Sequence, residues 1–304
     1  MLIKSALDLK QGILSANERR ASRKANVAVG IAPTGRKDDY KLAVRLIGKS
    51  NNALELLEEI APLTKGEIDV RVMERIKVEL PPPIEVQPFD RVLRPGSSVA
   101  HARSTAGTLG FFARRIEDGV MGFVSCNHVI AAADSAADGD GVLSPAPADG
   151  GLAPRDIVGF IDGRYPRLHA KPTLDCAFAR LAENVHFEVA GTNAIFSSRL
   201  ALPHECREVE KIGRTSGRTR GHITATDLEN IDVDFPFGLV RFNGVIEITP
   251  EGPHPFCRPG DSGALVFASD GRPVGLVISA ASNGVAYAHP LGSVLRSLNV
   301  ELVA

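Results

Sequence analysis

A glycine-rich turn, Arg258-Pro259-Gly260-Asp261-Ser262-Gly263, presents one hydroxyl and runs straight into the apolar stretch Ala264-Leu265-Val266. A serine hydroxyl is a poor nucleophile until a neighbouring base takes its proton and N–H donors stabilise the oxyanion formed on attack. Gly260 and Gly263 permit a sharp backbone that aims the amides of Gly260 and Ser262 at one point. Surface turns use the same residue types with no chemistry at all, so Ser262 needs partners. A base, His128, ends the apolar run Phe123-Val124-Ser125-Cys126-Asn127-His128 and is followed by the small Ala131 and Ala132. An acid, Asp175, lies in Thr173-Leu174-Asp175-Cys176-Ala177-Phe178-Ala179, an otherwise apolar strand. A carboxylate there is either the partner of His128 or a satisfied structural acid. Acyl transfer is the chemistry that such a serine, histidine and aspartate would perform together.

The chain order His128, Asp175, Ser262 is one of three in which unrelated folds place these groups. With it, the chain resembles the chymotrypsin-like (trypsin-like) serine peptidases, and more narrowly the intracellular bacterial and plant branch typified by the plant narrow-leaf protease. Three further stretches carry the resemblance: Arg94-Pro95-Gly96-Ser97-Ser98 with Ala106-Gly107-Thr108-Leu109-Gly110, then Gly139-Asp140-Gly141-Val142-Leu143 with Asp149-Gly150-Gly151, then the basic hairpin Lys211 to Gly221. Together they span roughly residues 94 to 298.

The resemblance implies two antiparallel six-stranded β-barrels with the site in the cleft between them. His128 and Asp175 belong to the first and Ser262 to the second. It implies a serine endopeptidase that forms an acyl-enzyme: Ser262 attacks, His128 is general base and then general acid, and Asp175 holds the imidazole in one tautomer. The amides of Gly260 and Ser262 form the oxyanion hole. In animal digestive enzymes the position of Asp261 pairs with a terminus freed by cleavage, whereas bacterial relatives use an internal basic side chain. Matching the hairpin puts Lys211 in that role, with Arg214 as second choice. Alternatively the hairpin is a solvated edge protected by its charges, and a polyanion site is disfavoured because no aromatic residues are interleaved with the bases. The substrate pocket is expected from Phe256, six residues before the nucleophile, and from Ser279, Ala280, Ala281 and Gly284, whose small side chains favour an apolar over a basic substrate residue.

Composition sets the frame. The 304 residues are enough for about two domains, and 44% hydrophobic content supports a sizeable core. With 35 basic and 36 acidic residues no global field draws the chain to nucleic acid or an anionic membrane. Four cysteines, Cys126, Cys176, Cys206 and Cys257, lack metal-ligand spacing and read as free thiols in a reducing compartment. His101, His169, His186, His204, His222, His254 and His289 form no convincing metal pair. No cofactor and no metal are expected. Met1 to Arg20 is interrupted by Lys4, Asp8 and Lys10, unlike a secretory signal, and no apolar run reaches membrane-spanning length. A cytoplasmic protein with no membrane contact is the expectation.

Residues 1–80 read as a small α/β module. Apolar spacing predicts a helix from Met1 to about Arg23, strands over Asn26 to Ala32 and Tyr40 to Ile47, a helix capped by Asn52, and a strand from Glu67. Pro81-Pro82-Pro83 opens a linker over 81–98, and 99–304 forms the all-β double-barrel catalytic domain. Leu291, Val294, Leu295 and Leu298 predict a C-terminal helix. A regulatory or docking role, with a protein partner, fits the module; a protein or peptide substrate fits the cleft. The alternative is a catalytically silent protease fold that binds extended peptides.

Overall fold

The computed structural model describes residues 1–18, 27–47, 51–84, 92–171, 173–189 and 196–304. The expected helical residues 19–23, the strand residue Asn26 and linker residues 85–91 fall outside what is described, and Asn52, expected as a cap, is the second residue of a helix that already begins at Asn51.

The N-terminal unit runs α1 (Ile3–Glu18), β1 (Val27–Pro33), β2 (Tyr40–Ile47), α2 (Asn51–Ile60) and β3 (Ile68–Met73). β1 and β2 form an antiparallel pair, and β3 lies parallel to β2 after the α2 crossover. Apolar residues three and four apart give α1 and α2 one wet and one dry face. Ile13, Ala53, Leu56 and Ile60 bury theirs against Val27, Val29, Leu42, Val44 and Leu46. β1 and β2 are largely buried on both faces, whereas β3 leaves Val70 and Val72 exposed, and β1 also hydrogen-bonds outward to a strand of the second barrel, pairing Val29 with Glu229 and Ile31 with Thr226. Lys10 reinforces that seam, 2.9 Å from Glu229 Oε1 and 2.7 Å from the Asp227 carbonyl.

Next come β4 (Ile76–Lys77) and β5 (Val92–Leu93). The next sheet holds β6 (Ser98–His101), β7 (Gly107–Thr108), β8 (Phe111–Arg115), β9 (Met121–Ser125), β10 (Gly141–Leu143), β11 (Ile157–Ile161) and β12 (Ala177–Leu181). The short helix α3 (Asn127–Ile130) follows β9. A two-residue strand, β13 (His186–Phe187), pairs with β5.

The second half contains β14 (Glu208–Gly213), β15 (Gly217–Glu229), β16 (Ile231–Phe235), β17 (Gly238–Phe242), β18 (Val245–Pro250), β19 (Leu265–Ala268), β20 (Pro273–Ala281) and β21 (Ala286–Pro290). Six of these close on themselves: β14, β15, β18, β21, β20 and β19 each pair antiparallel with the next, and β19 pairs back to β14. Helix α3's C-terminal counterpart, α4 (Leu291–Leu298), matches the expected helix. The chain then turns at Asn299, in the left-handed conformation, into β22 (Val300–Leu302).

β22 joins the first sheet beside β8, giving the order β22-β8-β9-β12-β11-β10-β6-β7, a curled eight-stranded sheet. The last residues therefore cross from the second barrel to the first, which helical spacing alone does not reveal. Phe111, Phe112, Phe123 and Phe178 fill the first core, and Ile246, Ile248, Phe256, Val266 and Val277 the second. Each such side chain contributes about 1.5–3 kcal/mol by leaving water.

Candidate active site

β9 delivers His128: its apolar run ends at Cys126, and the chain turns into the single-turn helix α3. β12 pairs with β9 in a register that sets Ala177 opposite Ser125, so the residues just outside that pair, Asp175 and His128, meet at the same end of the sheet. His128 Nδ1 lies 2.5 Å from Asp175 Oδ2, and the His128 amide donates to Asp175 Oδ1 at 3.0 Å. Asp175 is wholly buried. Burial pushes its carboxyl up, but His128 and its two hydrogen bonds outweigh that and hold it below the ordinary carboxylate value.

His289 is a residue that sequence reasoning left without a role. It is fully buried at the end of β21, and its Nε2 accepts the Asp175 amide at 2.9 Å. Burial lowers its pKa from 6.5 to about 4, opposed by the Asp175 charge. The ring is therefore neutral at pH 7, with the proton on Nδ1, and it fixes the backbone of the acid from behind. A histidine at a strand end carries no sequence signal for this task.

Ser262 arrives from the turn before β19. Gly260 and Gly263 hold φ of 98° and 91°, in the region that only glycine enters freely. A Cβ on Gly263 would lie 2.2 Å from Ser125 Oγ and 2.4 Å from the Thr108 carbonyl, so the serine's own turn docks directly on the first sheet. The Ser262 carbonyl accepts the Thr108 amide at 2.9 Å. His128 and Ser262 line one cavity of about 250 Å³, together with Val129, Phe235 and Gly260.

The carbonyls of the turn are drawn away from that cavity. Pro259 O accepts Thr215 Oγ1 and Gly260 O accepts Thr108 Oγ1, both at 2.8 Å. Among the described residues, neither the Gly260 nor the Ser262 amide donates a hydrogen bond to the protein. Lys211 Nζ stands 3.0 Å from Asp261 Oδ2. Asp261 also accepts the amides of Thr215 (2.9 Å), Ser216 (3.1 Å) and Arg258 (2.9 Å). Arg214 goes elsewhere: its Nε is 2.7 Å from Asp149 Oδ2, and the pair is buried between the two halves.

A second cavity, of about 360 Å³, also includes Ser262 and is lined by Ser279, Ala280, Ala281 and Gly284. Phe256 is not on its wall. The ring is completely buried in the second core, with Lys211 Nζ 6.0 Å from its centroid, and its neighbours Pro255 and Cys257 face the cavity instead. Arg75, Lys77 and Arg258 give the lining a basic character that counting from the nucleophile does not suggest.

Among the described residues, one group has metal-ligand types clustered together: Cys126, His128 and Asp175, with ligand atoms within 4.8 Å of one another. Burial pushes the Cys126 thiol well up, and Sγ is 3.1 Å from the Val277 carbonyl, so the thiolate a metal would want is disfavoured. All four cysteines are free and buried.

A closed six-stranded antiparallel barrel beside a curled antiparallel sheet is a chymotrypsin-like two-barrel fold. No known protein family and no curated protein matches the sequence. Among solved structures the chain is similar to Thermobifida fusca Protease A, with 18% identity, a TM-score of 0.48, and coverage of 70% of this chain and 100% of that one. It is also similar to Nocardiopsis Protease, with 21% identity, a TM-score of 0.48 and coverage of 70% and 100%. Cellulomonas bogoriensis chymotrypsin gives 20% identity, a TM-score of 0.45 and coverage of 69% and 99%. Among the described residues no helix is long and apolar enough to cross a membrane.

Proposed function

We propose that the chain is a serine endopeptidase in which Ser262 is the nucleophile, His128 the general base and then acid, and Asp175 the group that orients the imidazole. The observation that carries this reading is the 2.5 Å contact of His128 Nδ1 with a wholly buried Asp175, on the same cleft that Ser262 lines. With Nδ1–H committed to Asp175, Nε2 is the nitrogen left to take the serine proton. The tetrahedral oxyanion is received by the amides of Gly260 and Ser262, which have no protein acceptor among the described residues. Collapse expels the amine, which takes its proton from His128. Water, activated by the same base, then releases the acyl group.

Lys211 acts as the internal cation that keeps Asp261, and with it the oxyanion turn, in place. Ser279, Ala280, Ala281 and Gly284 form the wall against which the substrate residue before the scissile bond sits. The four reduced thiols support a reducing, cytoplasmic setting. The N-terminal unit is the part suited to a regulatory protein partner.

A fluorophosphonate probe and a proteome-derived peptide library, applied to the chain and to Ser262→Ala, test the reading. Wild type should be labelled on Ser262 and should cut peptides, and the variant should do neither, with kcat reduced on the order of 10⁴-fold or more. Folded wild type that neither labels nor cuts would leave the cleft a binding groove.

A further inference from the structure

The segment joining the N-terminal unit to the catalytic domain does not pass around the outside of the molecule. β4 lies in the slot between β16 and β20. It is antiparallel to β20, with Lys77 opposite Ala280 and Ile76 opposite Ala281, and parallel to β16, with Ile76 opposite Val233 and Lys77 opposite Asp234. Ser279 Oγ donates to the Lys77 carbonyl at 2.8 Å, and the Val78 amide donates to the Asp234 carbonyl at 2.9 Å. Ile76 is 2% exposed and packs in the core beneath.

The chain then crosses the nucleophile. Val78 and Glu79 line both cavities that contain Ser262. Pro81 reaches the oxyanion turn, where a Cβ on Gly260 would lie 3.0 Å from Pro81 Cβ. Past the turn the strand is caught again: Arg214 Nη2 donates to the Pro82 carbonyl at 3.0 Å, and the Ile84 amide is 3.4 Å from Asp149 Oδ1. The crossing itself is loosely held, with Leu80 76% exposed. Residues 76–84 are thus anchored at both ends: Ile76 and Lys77 add as a strand, the way an extended peptide docks on a sheet edge, and the chain that follows lines the cavities that hold Ser262.

We propose that residues 76–82 are a tethered occupant of the peptide groove, which keeps other peptides out until the segment is displaced. The inference rests on the endopeptidase reading, since the groove matters only if Ser262 acts on what lies in it. A short tether presents its strand at an effective concentration on the order of millimolar, so free peptides of equal intrinsic affinity at micromolar concentration lose the competition by about a thousandfold. The ligand class of the groove is an extended peptide, and the chain supplies one in cis.

Locking and loosening the strand in the full-length protein tests this. Lys77→Cys with Ala280→Cys places two thiols on a directly opposed pair within reach of a disulfide, and the four native thiols are buried away from the oxidant. Val78→Pro removes the hydrogen bond to Asp234. Hydrolysis of a fluorogenic peptide should be at least about tenfold slower in the oxidised double variant than in the same protein after dithiothreitol. Val78→Pro should exceed wild type by roughly fivefold, the worth of one net hydrogen bond. Equal non-zero rates in all samples overturn the strap and leave the peptidase standing. Zero rates throughout with Ser262 still labelled by fluorophosphonate also overturn it, because loosening should then release activity. Zero rates with no labelling in any sample sink the endopeptidase reading itself, and the strap with it.

Discussion

Lys211 Nζ and Asp261 Oδ2 lie 3.0 Å apart with both side chains wholly buried, one residue before the proposed nucleophile. A buried ion pair is weak evidence for stability, but removing one partner strands the other charge at a cost of about 3–5 kcal/mol. Lys211→Ala should therefore lower the urea midpoint and slow fluorophosphonate labelling of Ser262 together. Lys211→Met with Asp261→Asn should recover most of the stability while labelling stays slow, because the amide cannot hold the turn as the carboxylate does. A Lys211→Ala protein that matches wild type in both measurements removes the pairing from the mechanism.

Asp175→Asn tests the orienting acid. An amide in place of Oδ2 no longer fixes the Nδ1–H tautomer of His128, so kcat at neutral pH should drop by roughly 10⁴. Peptide affinity should change little, since Asp175 is buried behind the histidine and does not line either cavity. A loss confined to KM would argue that Asp175 is only structural.

His289 should make stability depend on pH. Its native pKa is lowered to about 4 from an ordinary 6.5, so between these values the unfolded chain binds a proton that the folded chain does not. Stability is then fully present above pH 6.5 and falls as pH drops toward 4, by about 3 kcal/mol. Asp175 is depressed below its ordinary 3.8, so its contribution is present above that value and is lost only at lower pH still. Denaturant midpoints measured from pH 7 to pH 4 should fall steeply for wild type and less for His289→Gln. Parallel curves would show that the ring does not titrate as its burial demands.

Arg45 ties the N-terminal unit to the second barrel. Its Nε and Nη2 meet the two oxygens of Glu247 at 2.8 and 2.9 Å, wholly out of water. Arg45→Met should cost about 3–5 kcal/mol by leaving the buried Glu247 without its main partner, with Thr224 Oγ1 at 2.7 Å and Arg71 Nη1 at 3.8 Å still beside it. Arg45→Lys should rescue little, because an ammonium cannot reproduce the two-pronged contact. Calorimetry should show one cooperative transition shifted down; a lowered first peak with an unmoved second would mean that the unit melts independently.

Much of this was legible beforehand. The alternation of short apolar runs with turn residues announced an all-β domain, and the helical spacing of Leu291, Val294 and Leu298 announced α4. The serine turn was legible because glycine is forced at φ of 98° and 91° whatever the surroundings. Phe256 was misleading as a pocket residue, since counting along the chain cannot tell a side chain aimed into the cleft from one aimed into the core. The Arg214–Asp149 pair and the role of His289 had no local signal, because each depends on residues far apart in sequence meeting in a dry interior.

The sequence by itself determined the residues proposed as nucleophile, base and acid, Ser262, His128 and Asp175, and their order along the chain, since those proposed roles follow from residue type and from immediate neighbours. Only the tertiary structure decided where the N-terminal residues go. β1 extends a barrel strand and β4 fills the slot beside Ala280 and Ala281. An edge strand pairs through backbone groups that every residue carries, so local sequence marks such a strand without naming its partner.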